Sequence, residues 1–153
     1  MKKRFKHPIA NPKGYIAILV LMTLVGCTPK PQAIDYGKEG CHFCSMTIVD
    51  AQHASEIVTK KGKVFKFDAV ECMVNFRKTI DPTEVAMYLS NHYTEPVELI
   101  DATMASFLIS ENIPSPMGAF LTAFKTREQA QDEHARSGGE LFDWEGLLIE
   151  LDR

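Results

Sequence analysis

Short apolar runs of alternating period dominate the chain from residue 45 onward. "MTIVD" and "ASEIVT" are rich in β-branched residues, and "KKGK" makes a polar turn into "VFKF"; each run predicts a strand. The period then lengthens in "DAVECMVNFRKT". Val70, Met73, Val74 and Phe76 fall on one helical face, Asp68 with Glu71 three residues on forms a capping-box start, and Pro82 lies just past the end. "VAMYLSNHYT" follows as another strand. The second half repeats the scheme: "TMASFLIS" and "GAFLTAF" as strands, then the helix "TREQAQDEHARSGG", capped by Thr126 with Gln129 and stopped by Gly138 and Gly139. "ELFDW" closes the pattern as a strand. In each half a Phe–Lys pair, Phe65–Lys66 and Phe124–Lys125, leads into a capped helix, which predicts an internal duplication. The expected fold is α+β, two small similar units over residues 40–90 and 91–150.

The N-terminus reads differently. Lys2, Lys3, Arg4, Lys6 and Lys13 precede the apolar run "YIAILVLMTL", which is short for a membrane span and matches a secretory signal. It ends in "LVGC", which resembles a bacterial lipobox, so residues 1–26 are expected to be removed and Cys27 to carry lipid. Residues 27–39, "TPKPQAIDYGKEG" after Cys27, read as a tether, because they offer no apolar period to bury. Loss of the signal removes five basic residues and no acid, taking the formal charge from −3 to −8. An acidic surface argues against nucleic-acid and anionic-lipid binding; the expected membrane attachment is the lipid anchor. Thr28 after the lipidated cysteine is not the aspartate that retains lipoproteins in the inner membrane, so outer-membrane attachment facing the periplasm is expected.

The chemistry concentrates in "GCHFCSM", where Cys41, His42, Cys44 and Met46 bring soft donors together. Thiolate and thioether sulfur favour Cu(I) over hard cations. Cys-x-x-Cys spacing also serves disulfides, zinc sites and redox pairs. Haem c attachment is excluded, since Ser45 stands where a histidine is required. A thioredoxin-type pair wants a helix start directly at the motif, but this one runs toward a β-branched segment. Zinc wants four nitrogen or sulfur ligands; Cys41, Cys44, Cys72 and the histidines keep it open. Cys72 itself reads as a buried small hydrophobe, Met73 and Met104 as core, His53 and His134 as surface, and Trp144 with the phenylalanines as core. Met117, in the Pro- and Gly-flanked turn "PSPMGA", has no periodic reason for burial and stands as a candidate ligand. Paired carboxylates, a nucleophile elbow and a phosphate-cradling loop are absent from the sequence, so no enzyme is expected.

Together the lipobox, the Cys-x-x-Cys-x-Met of Cys41, Cys44 and Met46, "FKFDAVECM", and "SPMGAFLTAF" with "SGGELFDW" resemble the NosL family of nitrous oxide reductase accessory lipoproteins. That resemblance implies two ββαβ-like units related to a domain of organomercurial lyase. It further implies a periplasm-facing Cu(I) metallochaperone, with nitrous oxide reductase or its maturation complex as partner. The implied copper site takes Cys41 or Cys44, Met46 and Met117, with His42 the nearest imidazole. A thiol oxidoreductase or a zinc-binding accessory protein using the Cys41–Cys44 pair is the alternative.

Overall fold

The computed structural model describes residues 28–153; the expected signal sequence and the expected lipid site at Cys27 lie outside them. The first unit opens with a hairpin of β1 (Ser55–Thr59) and β2 (Val64–Phe67), turned at Gly62, whose φ of 81° suits a residue without a Cβ. Helix α1 (Val70–Arg77), a 3₁₀ turn at Pro82–Glu84 and strand β3 (Val85–His92) follow. Strand β4 (Glu95–Asp101) completes an antiparallel sheet of order β2-β1-β3-β4. The second unit runs β5 (Ser106–Ile109), β6 (Leu121–Phe124), α2 (Arg127–Ser137) and β7 (Glu140–Phe142), in a sheet of order β6-β5-β7, and ends in α3 (Trp144–Leu151). Each unit therefore contains a ββαβ motif whose first strand lies between the other two, and the first unit adds β4 at the edge of its sheet.

The duplication holds in a different register from the one its Phe–Lys pairs suggest. Ser55 pairs with Phe67 and Ser106 with Phe124, so the equivalent residues are Phe67 and Phe124, both without solvent exposure. The helix N-caps then fall two residues later in each unit, at Ala69 and Thr126. The second helix has the expected capping box: Thr126 Oγ1 accepts from Gln129 N at 3.3 Å and Gln129 Oε1 accepts from Thr126 N at 3.1 Å. The first does not. Ala69 makes no side-chain cap, and Asp68, the expected capping residue, turns its carboxylate inward to accept from Val49 N–H.

The two units close over one core. Ile57, Phe67, Val70 and Met73 of the first unit share a buried cluster with Phe107, Leu121, Trp144 and Leu147 of the second. Trp144 lies between them, its ring 5.5 Å from Tyr88 and 6.1 Å from Phe107. Tyr93 N–H donates to Ala123 O at 3.0 Å, joining the backbones of the two halves. The segment expected as a tether is docked from Gln32 onward. Ile34 is buried, Gln32 N donates to the fully buried Glu56 at 3.0 Å, and Lys66 Nζ, facing the same side, donates to Ala33 O at 2.7 Å and to both Glu39 oxygens at 2.8 Å. Polar residues at Glu56 and Lys66 give that sheet face no apolar signal, yet the arm partners Lys66 Nζ and one Glu56 oxygen there, leaving Glu56 Oε2 without a partner among the described residues.

Other expectations change with tertiary context. "MTIVD" forms no strand; a single bridge between Gly40 and Thr47 stands in its place. The first sheet extends past residue 90, where the sequence divides the units, because β4 pairs with β3. Pro96 and Val97, the latter at a φ of 75°, mask β4 as a strand, and such residues are tolerated at a sheet edge. "WEGLLIEL" is a helix rather than the tail of a strand, started by Asp143, whose Oδ1 accepts from Gly146 N at 2.8 Å. Met104 is 80% exposed in the turn after β4 instead of core. His53 is buried instead of surface, its Nδ1 bonded to Asp50 at 2.9 Å.

Candidate metal centre

The loop from Gly40 to Thr47 is folded back on itself. Cys41 N donates to Met46 O at 2.7 Å and Ser45 N to Cys41 O at 3.0 Å, with Ser45 in the left-handed region at a φ of 64°, a conformation unusual for a residue bearing a Cβ. His42 fastens this loop to β2: its backbone N donates to Lys66 O at 2.9 Å, and Lys66 N donates to its Nδ1 at 3.1 Å. The imidazole rests edge-on against Phe65, with ring centroids 5.3 Å apart. Its Nδ1 is thus occupied by the backbone.

Helix α1 supplies the third sulfur. Cys72 is the third helical residue after Ala69, one turn into the helix, and its side chain points back toward the loop. Cys41, Cys44 and Cys72 are all free, and their Sγ atoms lie within 4.8 Å of one another. Cys72 is buried, but as a member of this group rather than as the core filler its periodicity suggests. The helix pattern hides it, because a cysteine on the buried face near an N-terminus packs like any small apolar residue. What separates it from filler is the crossing of "GCHFCSM" at that helix start, which is tertiary information.

The electrostatics of the three thiols are unequal. Cys41 Sγ accepts from the Cys72 thiol and, against the cost of its own burial, from the backbone N–H groups of Cys44, Asp68 and Phe43; its pKa is pulled down to about 4. These contacts favour its thiolate form. Burial pushes Cys44 up, opposed by the Met46 N–H. Cys72 is pushed up because its proton is held by Cys41 and because it is buried. The arrangement is one preformed thiolate flanked by two thiols that share its charge.

Beside Cys72, the second unit reaches across to the first. Glu71 is buried and accepts from Ser115 Oγ at 3.0 Å, and its burial raises its pKa. This bond ties the loop that carries Met117, two residues on, to the start of α1. Met117 is 39% exposed there and Met46 is 50% exposed on the cysteine loop. Among the described residues, the His, Cys, Asp and Glu side chains close enough to share an ion are the three cysteines. His42 is outside that group.

A site of three sulfurs and no hard donor selects soft ions of low coordination number. Among the described residues, no fourth ligand of the kinds zinc usually takes joins the three cysteines.

Comparison with known proteins agrees with this architecture. The crystal structure of the copper chaperone NosL from Shewanella denitrificans superimposes with a TM-score of 0.63 at 24% identity, covering 76% of this chain and 93% of that one. None of the curated proteins searched matches the chain. The NosL family model matches residues 31–151, from the docked arm through the last helix, and takes in all three cysteines. Over that span, this chain belongs to the NosL family.

Proposed function

We propose that this protein is a Cu(I) metallochaperone, lipid-anchored through Cys27, that delivers copper for assembly of the catalytic centre of nitrous oxide reductase. The observation that carries the reading is the convergence of three free sulfurs on a site with no hard ligand grouped with them among the described residues. The family and the similarity to a copper chaperone support it. The role is binding and transfer rather than catalysis. Cys44 is partly exposed, so an acceptor sulfur can attack the ion before the donor sulfurs release it. Cu(I) here is cargo, and Cys41, Cys44 and Cys72 hold it, with Met46 or Met117 as an exchangeable thioether. Anaerobic competition of the reduced protein against a Cu(I) chelator tests this; an inability to hold one Cu(I) per chain would refute it.

Two further results are expected. Because Cys41 is already ionised while Cys44 and Cys72 are held protonated by shifts upward, binding of Cu(I) at neutral pH releases about two protons. Affinity therefore rises with pH until both thiols titrate. Proton release measured in weakly buffered solution checks the number; three would mean that Cys41 is not a thiolate. Replacing the exposed Met117 by Leu conserves volume and removes the donor, so stability changes by under about 1.5 kcal/mol while Cu(I) affinity falls. An unchanged affinity would leave the cysteines as the whole site.

The partner and the place follow from the same reading. A lipid on Cys27, five residues before the arm docks at Gln32, would hold the site close to the membrane face, at the outer membrane on the Thr28 criterion. Cell fractionation of Cys27→Ser is expected to release the protein from the membrane; retention would assign anchoring to the apolar segment instead.

A further inference from the structure

Three convergent thiols, joined by no fourth His, Cys, Asp or Glu among the described residues, define a ligand set that one other class of ion satisfies fully. Trivalent arsenic binds three thiolates as a pyramid, and its lone pair takes the fourth direction. It needs neither the fourth ligand that zinc lacks here nor any thioether or imidazole. We infer that Cys41, Cys44 and Cys72 form a capture site for arsenic(III), held as a tris-thiolate. The inference rests on the proposal that the three sulfurs act as one ion site, and it differs from the copper reading in requiring every one of them and no methionine.

The geometry favours this set. Cys72 is fixed on the first turn of α1 and Cys41 N donates to Met46 O, while Cys44 sits in the turn between Cys41 and Met46 in the loop. Contraction of the sulfur triangle therefore needs movement mainly at Cys44, the partly exposed member. Phe43, 46% exposed, and Met46, 50% exposed, are its apolar neighbours in the same loop, and next to apolar surface a lone pair needs no partner. The reaction balances without an oxidant or a reductant. Arsenous acid, As(OH)₃, exchanges its three As–O bonds for three As–S bonds, and each hydroxide leaves as water with one thiol proton. The proton that the Cys41 thiolate lacks comes from solvent, and arsenic stays trivalent. An arsenic-loaded chain has no sulfur left for Cu(I), so arsenite blocks copper loading.

The test is an anaerobic titration of the reduced full chain carrying Cys27→Ser, which removes the fourth cysteine from the count, with sodium arsenite and, in parallel, Cu(I). The expected result is one arsenic per chain, a near-ultraviolet sulfur-to-arsenic absorption band and protection of Cys41, Cys44 and Cys72 from alkylation. Cys44→Ser and Cys72→Ser are each expected to weaken arsenite binding by at least about tenfold, and Met117→Leu to leave it unchanged. Where Cys72→Ser fails to fold by circular dichroism, the parent decides: Cys72 found alkylated in the arsenite-treated protein overturns the inference. So does arsenite binding in folded Cys72→Ser as tight as in the parent. Cu(I) binding without arsenite binding sinks this inference alone, whereas loss of both sinks the copper reading with it.

Discussion

Replacing Cys41 by Ser is expected to lower Cu(I) affinity by at least about 100-fold, close to 3 kcal/mol, with little change in fold. Cys41 is the sulfur on which the site is organised: the Cys72 thiol and the N–H groups of Cys44, Asp68 and Phe43 all point at it. Those donors stabilise a negative charge on sulfur before any ion arrives, and a serine hydroxyl does not ionise near neutral pH. It can still accept the same hydrogen bonds, so the loop and the helix start keep their contacts. Chelator competition reads the affinity and circular dichroism checks the fold. An affinity equal to that of the parent would mean that the ion binds elsewhere. The contrast with Cys44→Ser is informative, since Cys44 is partly exposed and its thiol is pushed up by burial rather than drawn down.

Phe107→Ala is expected to destabilise the whole chain by about 3–5 kcal/mol, a large share of a typical domain's stability. Phe107 is fully buried on the central strand of the second sheet, against Trp144, in the cluster that also holds Phe67, Val70 and Cys72. Since that core is shared, damage in the second unit reaches the cysteine site of the first. Trp144 is the single tryptophan, so its fluorescence follows the second unit, while alkylation of Cys72 follows the first. Both probes are expected to report one denaturant transition, displaced together in the variant. Separate midpoints would show that the two units unfold independently, and that contacts such as Ser115 Oγ to Glu71 hold two separately folding bodies together.

The periodic runs were sufficient for most of the architecture. β1 and β2 flank a Gly turn, and Thr126 with Gln129 forms the capping box its spacing implies at the start of α2. These are local effects: backbone twist, turn chemistry and capping act within four or five residues, and four or five residues are legible in a string. The resemblance to the NosL family, carried by Cys41, Cys44, Met46 and the segment around "FKFDAVECM", was legible for a related reason, since it rests on ordered motifs rather than on contacts.

What the string left open involves residues distant in sequence. Asp68 looked like a cap, and the loop around Val49 draws its carboxylate inward instead. Residues 32–39 looked like a tether, and the charged pair Glu56 and Lys66 on β1 and β2 anchors them. Met104 looked periodic and stands in solvent, because the sheet ends before it. Above all, the sequence by itself determined that Cys41 and Cys44 sit together, since two residues separate them, whereas only the tertiary structure decided that Cys72 joins them. A helical period reports which face of α1 is buried but not what it is buried against. Here the facing group is a loop that precedes the helix by nearly thirty residues, brought to the helix start by the hydrogen bonds between His42 and Lys66.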